Sequence, residues 1–95
     1  MSLTGNVLNL SVSYSGGCET HDFVLCWDEM YIKTQPMKIE LYLSHNANND
    51  TCEAWETETL DYDLTPVPLH YNNANQTTTG DLLVVLNNQN VMYSW

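Results

Sequence analysis

The feature that most restricts the fold is an alternation of apolar and polar residues at every second position. Residues 6–14, NVLNLSVSY, place Leu8, Leu10 and Val12 on one face and asparagine and serine on the other. Residues 38–44, KIELYLS, alternate in the same way. No stretch repeats apolar residues at spacings of three and four behind a helix cap. The chain is therefore predicted to be all-β, with little or no helix.

Further segments supply the other strands. Residues 22–27, DFVLCW, are apolar on both faces, which predicts a central strand with Cys26 buried. Residues 81–86 and 91–95 flank the turn NNQN and predict a hairpin. Together the segments give about six or seven strands. This number favours a small antiparallel β-sandwich, with a partly open β-barrel as the alternative.

Two stretches fit the alternation less simply. In residues 52–64 the apolar positions change parity, which predicts a β-bulge near residues 58–60. Residues 70–80, HYNNANQTTTG, have the composition of a polar loop, so His70 is expected to be a solvated loop residue.

Length and charge exclude several classes of function. Ninety-five residues support one core, so residues 1–95 are predicted to form a single domain. Twelve acidic residues stand against Lys33 and Lys38, and the net charge of −10 argues against nucleic-acid binding. The longest apolar run, LLVVL, is far shorter than the roughly 18 residues of a membrane span. The N-terminal residues also lack the pattern of a signal peptide.

Two Cys and His pairs are the strongest candidates for a site. Cys18 and His21 follow the first predicted strand, whereas His45 and Cys52 lie between the third and fourth. A disulfide between Cys18 and Cys52 would contribute roughly 3–4 kcal/mol in an oxidising compartment. Alternatively, the two thiolates and two imidazoles would complete the tetrahedral shell of a structural zinc ion.

A third alternative is catalysis by a cysteine-dependent hydrolase. A Cys18 thiolate would be activated by a histidine, with Asp22 or Asp50 orienting the imidazole. No sequence motif fixes this geometry, so the three alternatives remain open at this point.

The asparagine-rich segment after residue 45 offers oxygen ligands. Asn46, Asn48 and Asp50 could contribute to a calcium site, although the segment lacks the frame of an EF-hand loop. An Asx-rich turn is the competing interpretation.

Aromatic residues on polar faces are candidates for ligand binding. Tyr42 shares its strand face with Lys38 and Glu40, and Trp55 precedes the acidic residues ETE. An exposed ring beside carboxylates and amides is suited to a glycan or a protein partner. The competing interpretation is that both rings fill the core.

Three quoted segments, GGCETHDFVLCW, LSHNANNDTCEAW and ETLDYDL, carry a family resemblance when taken together. Over residues 14–66 the chain resembles small uncharacterised β-rich domains of bacterial envelope lipoproteins. The resemblance implies a periplasmic, cell-envelope or secreted location and pairs Cys18 with Cys52. It implies no reaction and no cofactor. The function expected from it is a non-enzymatic binding or structural role, with a zinc or calcium domain or a hydrolase as alternatives.

Overall fold

The computed structural model describes all 95 residues as seven strands and one helix. The elements are β1 (Ser2–Thr4), β2 (Val7–Gly16), β3 (Asp22–Trp27), β4 (Lys38–Asn46), β5 (Ala54–Asp63), α1 (Pro66–Asn75), β6 (Asp81–Leu86) and β7 (Gln89–Ser94). They form two sheets, with strand orders β1-β2-β5 and β3-β4-β6-β7. The prediction of a small β-sandwich is confirmed, and the sheets do not close into a barrel.

One strand pairing is parallel, contrary to the prediction of an antiparallel sandwich. β4 pairs with β6 in the register Lys38–Leu83 to Leu41–Leu86, whereas every other pairing is antiparallel. Between these two strands the chain passes through β5 and α1, and this long connection lets it re-enter the sheet in the same direction. The predicted C-terminal hairpin is present as β6 and β7.

The helix α1 covers residues 70–75 of the polar loop predicted for residues 70–80, so the prediction is wrong for that part and holds for residues 76–80. Pro66 stands in the first turn, where its missing N–H costs no hydrogen bond. Gln76 ends the helix in a left-handed conformation and donates its N–H to the carbonyl of Asn72. Only Val67 and Pro68 of the helix are buried, which explains why no apolar periodicity is visible in the sequence. No helix of the chain is long and apolar enough to cross a bilayer.

The hydrophobic core occupies one end of an elongated molecule. Its ten residues are Leu8, Leu10, Ile39, Leu41, Leu64, Val67, Leu82, Val84, Leu86 and Tyr93. The molecule measures 49 × 21 × 19 Å, and its radius of gyration of 15.4 Å exceeds the roughly 12–13 Å of a compact chain of this length. Beyond the core, the strand pairs β2–β5 and β3–β4 continue towards a second, polar end, which we call the distal end.

Two further strand predictions are corrected by the sheet order. β3 is an edge strand with an uncovered outer face, so Cys26 is exposed and not buried, and Val24 is 57% exposed. β5 pairs with β2 without interruption and contains no bulge. Its single phase places Glu56 and Glu58 on the same inner face as Leu60.

Candidate functional site

Two loops that cross between the sheets meet at the distal end. Residues 17–21 lead from β2 to β3, and residues 47–53 lead from β4 back to β5. Cys18 and Cys52 form a disulfide between these loops, with their Cα atoms 5.8 Å apart. The pairing that the family resemblance implies is therefore present.

Asp50 anchors the second loop to the first. Its fully buried carboxylate accepts a hydrogen bond from Nε2 of His21 at 2.7 Å. It also accepts the backbone N–H groups of Cys18, Glu19 and Cys52 at 3.0–3.3 Å. The hydrogen bond from His21 is the main reason why the pKa of Asp50 lies well below its usual range; burial opposes this effect, and the backbone donors reinforce it. Asp50 is consequently an anion that can only accept hydrogen bonds.

A second histidine extends this hydrogen bond into a relay. Nδ1 of His21 lies 2.7 Å from Nε2 of His45. Because the proton on His21 Nε2 is donated in a hydrogen bond to the Asp50 carboxylate, the neutral His21 ring has an unprotonated Nδ1. His45 therefore donates from Nε2, and its Nδ1 accepts no hydrogen bond from the protein. We call Asp50, His21 and His45 the relay.

Aromatic rings enclose the two imidazoles. Tyr14 from β2 stacks on His21 with ring centroids 4.2 Å apart, and Phe23 from β3 stacks on His45 at 4.4 Å. The hydroxyl of Tyr14 donates to Glu58 at 3.0 Å. Burial first, and then the hydrogen bond to Glu58, raise the pKa of Tyr14, so this phenol stays neutral beside the relay.

Gly16 is required at the end of β2 by the relay itself. A Cβ atom at this position would lie 2.7 Å from both Asp50 Oδ2 and His21 Nε2. No side chain fits there while the hydrogen bond between those atoms is intact. The first glycine of the Gly-Gly-Cys segment is therefore part of the site, which the pattern alone did not reveal.

The four residues of the predicted zinc set are brought together but are engaged elsewhere. The sulfurs of Cys18 and Cys52 are bonded to each other, so neither provides the thiolate that zinc requires. His21 and His45 direct nitrogens at one another. The zinc alternative thus applies only to the reduced chain.

The predicted calcium ligands form a turn of the kind proposed as the competing interpretation. Asn46 Oδ1 accepts the backbone N–H of Asn48 at 3.0 Å. The side-chain amide of Asn48 donates to the carbonyl of Thr20 at 2.6 Å and to Asp22 at 2.9 Å. Together with Asp50, these groups fasten the crossing loops to each other.

The cysteine-dependent hydrolase lacks its nucleophile in this structure. Cys18 is disulfide-bonded, and the exposed thiol of Cys26 contacts only the carbonyl of Val24, at 3.8 Å. In addition, none of the four surface clefts is lined by His21 or His45. One cleft, lined by Tyr14, Gly17, Cys18, Glu19, Thr20 and Glu56, lies beside the disulfide, but neither imidazole of the relay opens into it.

The two predicted binding-face aromatics are both exposed, but they lie on different sheets. Tyr42 is 51% exposed on the outer face of the β3-β4-β6-β7 sheet, where its hydroxyl donates to Glu40 at 3.2 Å. Trp55 is 74% exposed on the other sheet, opposite Ser15. The two rings therefore belong to separate surfaces.

A second histidine cluster was not predicted. The hydroxyl of Tyr31 donates to Nδ1 of His70 at 2.6 Å, and Nε2 of His70 lies 2.9 Å from Glu29. Burial first, and then the Glu29 charge, raise the pKa of Tyr31. The cluster joins α1 to the connection between β3 and β4, and its members lie too far apart in the sequence to form a motif. His70 is therefore a helix residue with two partners, not a free loop residue.

Comparison of the chain with protein-family models, with curated proteins and with solved structures finds no match. The assignment of a function therefore depends on the surfaces and contacts described above.

Proposed function

We propose that the protein is a non-enzymatic binding domain of an exported or cell-envelope protein and that its ligand is a neutral glycan. The binding surface is the outer face of the β1-β2-β5 sheet. The observation that carries the proposal is the 74% exposure of the Trp55 ring at one end of this face. A large apolar ring is left in water there.

The rest of this face consists of small hydrogen-bonding side chains. Its rows pair Ser15 with Trp55, Ser13 with Thr57, Ser11 with Thr59 and Asn9 with Asp61. These rows extend over about 20 Å at the rise of a β-strand. The side chains are short, and neighbours across the strands hold each other, as the 3.0 Å contact between the hydroxyls of Ser13 and Thr57 shows. The face consequently presents short side chains, some of which are already hydrogen-bonded to each other.

The chemistry of the face favours a glycan over other ligand classes. An indole ring stacks against the C–H face of a sugar, while hydroxyl, amide and carboxylate groups exchange hydrogen bonds with sugar hydroxyls. The face carries neither Lys33 nor Lys38, the only basic side chains of the protein. Phosphate and sulfate groups therefore find no cation, and a hydrophobic peptide finds no apolar groove.

The disulfide is consistent with the proposed location. Disulfides persist in secreted and periplasmic proteins, where no reducing system opposes them. Cys18 and Cys52 crosslink the end of the molecule at which the Trp55 row lies. The crosslink thereby stiffens the end of β2 and the start of β5, which form that row.

The test is a titration of the oxidised protein with neutral oligosaccharides of glucose, xylose, mannose and N-acetylglucosamine, followed by calorimetry and tryptophan fluorescence. For the sugar that binds, we expect Trp55→Ala to weaken the affinity by about tenfold or more. Tyr42→Ala is the matched control, because it removes an exposed ring from the other sheet and is expected to leave the affinity unchanged.

Two results would overturn the proposal. The first is the absence of binding to every oligosaccharide at millimolar concentration. The second is binding that Trp55→Ala and Tyr42→Ala weaken equally, or that only Tyr42→Ala weakens, since either result would remove the ligand from the Trp55 face.

A further inference from the structure

We infer that the relay is an acid-sensitive latch, in which the second proton taken up by the two histidines separates His45 from His21. The latch is independent of the glycan face. It follows from the number of protons that fit between two nitrogens 2.7 Å apart.

The carboxylate fixes the positions of the protons when both rings are neutral. Asp50 accepts from His21 Nε2, so the only proton between the two rings is the one on His45 Nε2. A first additional proton enters at His45 Nδ1, which has no partner in the protein. This singly charged pair keeps every hydrogen bond of the relay, because one proton still lies between the rings.

A second additional proton has no site that preserves the contact. It must enter at His21 Nδ1, which already accepts the proton of His45 Nε2. Two N–H groups would then face each other across 2.7 Å, and two imidazolium charges would adjoin. The pair can bind this proton only by moving apart.

The side chain that leaves is that of His45. His21 is held by Asp50 and by the ring of Tyr14, and its side chain is only 1% exposed. His45, in contrast, is an exposed residue near the end of β4 and has no carboxylate partner; it is held by the hydrogen bond to His21, the stack on Phe23 and a tilted contact with Tyr14. Its departure uncovers one face of the Phe23 ring.

The titratable groups around the pair come from each neighbouring element. They are Asp50 on the crossing loop, Tyr14 on β2, and Glu56 and Glu58 on β5. Asp22, at the start of β3, accepts a hydrogen bond from the side-chain amide of Asn48. Asp50 already accepts a hydrogen bond from His21 Nε2, and the hydroxyl of Tyr14 already donates to Glu58. None of these groups can supply an acceptor between the two rings, so they do not relieve the conflict that the second proton creates.

The latch is tested by nitrogen-15 NMR of the histidine rings in the oxidised protein from about pH 8 to about pH 4, the range that brackets ordinary imidazole titration. At the alkaline limit we expect both rings to carry their proton on Nε2. At the acid limit, with both rings doubly protonated, we expect the nuclear Overhauser contacts between His45 and Phe23 to disappear.

His21→Gln removes the second imidazole while keeping a side-chain amide opposite His45, and it should retain the contact between His45 and Phe23 throughout the titration. His70→Gln is the matched control and should behave as the unaltered protein. The inference is overturned if His45 carries its proton on Nδ1 at the alkaline limit. It is equally overturned if the contact survives double protonation, or if His21→Gln loses it over the same pH range. The first two readouts need no variant, so a misfolded His21→Gln protein leaves the test intact.

Discussion

Nε2 of His21 and Oδ2 of Asp50 lie 2.7 Å apart directly above Gly16, and this hydrogen bond joins two loops that belong to different connections of the sandwich. Its position is significant because the hydrophobic core ends well before it. At the distal end, a disulfide, a buried carboxylate and stacked rings stabilise the contact between the sheets in place of aliphatic packing.

Removal of the disulfide is expected to lower stability substantially. The 34-residue separation of Cys18 and Cys52 corresponds to about 4 kcal/mol of chain entropy, or about 15–30 °C in melting temperature. Calorimetry of the Cys18→Ser/Cys52→Ser double variant measures this loss. Cys26→Ser, at an exposed position, should have the same melting temperature as the unaltered protein. A double variant with an unchanged melting temperature would show that the crosslink does not stabilise the fold.

Gly16→Ala is expected to break the hydrogen bond between His21 and Asp50, because the added methyl group occupies the space over both atoms. Overpacking of this kind costs about 1–3 kcal/mol. Urea unfolding measures the cost, and amide exchange at Cys18 and Glu19 reports the loss of the carboxylate. Ser15→Ala, one residue away on the outer face, serves as control. Equal midpoints for the two variants would contradict the described packing.

The lowered pKa of Asp50 predicts a pH dependence of stability. Since this pKa is lower in the folded than in the unfolded protein, the Asp50 contribution is complete above the ordinary value of 3.8 and is lost progressively as the pH falls below it. Asp50→Asn should therefore have a lower urea midpoint than the unaltered protein at pH 7, and the difference should shrink in acid below about pH 4.

Asp81→Asn removes the same charge from an exposed carboxylate without a hydrogen-bonding partner, so it separates the effect of the relay from that of net charge. If the difference in urea midpoint between Asp50→Asn and Asp81→Asn stayed constant from neutral to acid pH, this result would argue against an ionised, buried Asp50 carboxylate.

Tyr31→Phe tests the second histidine cluster. The variant removes the hydroxyl that donates to His70 and should cost about 1 kcal/mol in the free energy of unfolding. Tyr42→Phe removes a hydroxyl that is bonded only to Glu40 on an exposed face, and its urea midpoint should not move. If Tyr42→Phe lowered the free energy of unfolding more than Tyr31→Phe did, the hydrogen bond to His70 would not be the more stabilising of the two.

The alternating patterns of β2 and β4 were sufficient to predict the fold class, because each strand has one buried face. The prediction for β5 was wrong because its inner face is partly polar. Glu56 and Glu58 lie on its inner face, at the polar distal end, so hydrophobicity marks the wrong phase there. The helix escaped prediction because packing against the aromatic residues Tyr31 and Trp95, and not an apolar stripe of its own, holds it in place.

The sequence was sufficient to predict which residues form the candidate site, but not which contacts they make. Cys18, His21, His45 and Cys52 were identified from their types and spacing. The position of Asp50 between the loops depends on the register of β2 with β5 and of β3 with β4, which a single sequence does not determine. That register decides that His21 meets a carboxylate and a second imidazole where a metal ion was one of the alternatives.

Because the aliphatic core and the distal end are separated, local stability is expected to differ between the two ends of the 49 Å molecule. Backbone amides near Leu8 and Ile39 are expected to exchange with solvent only when the whole domain unfolds, whereas the protection of those near Tyr14 and His45 is expected to depend on the disulfide and on the hydrogen bonds of Asp50. Reduction of the disulfide and protonation of Asp50 are both expected to weaken the distal end first. The chemical surroundings of the protein would then loosen this end while the aliphatic core stays folded.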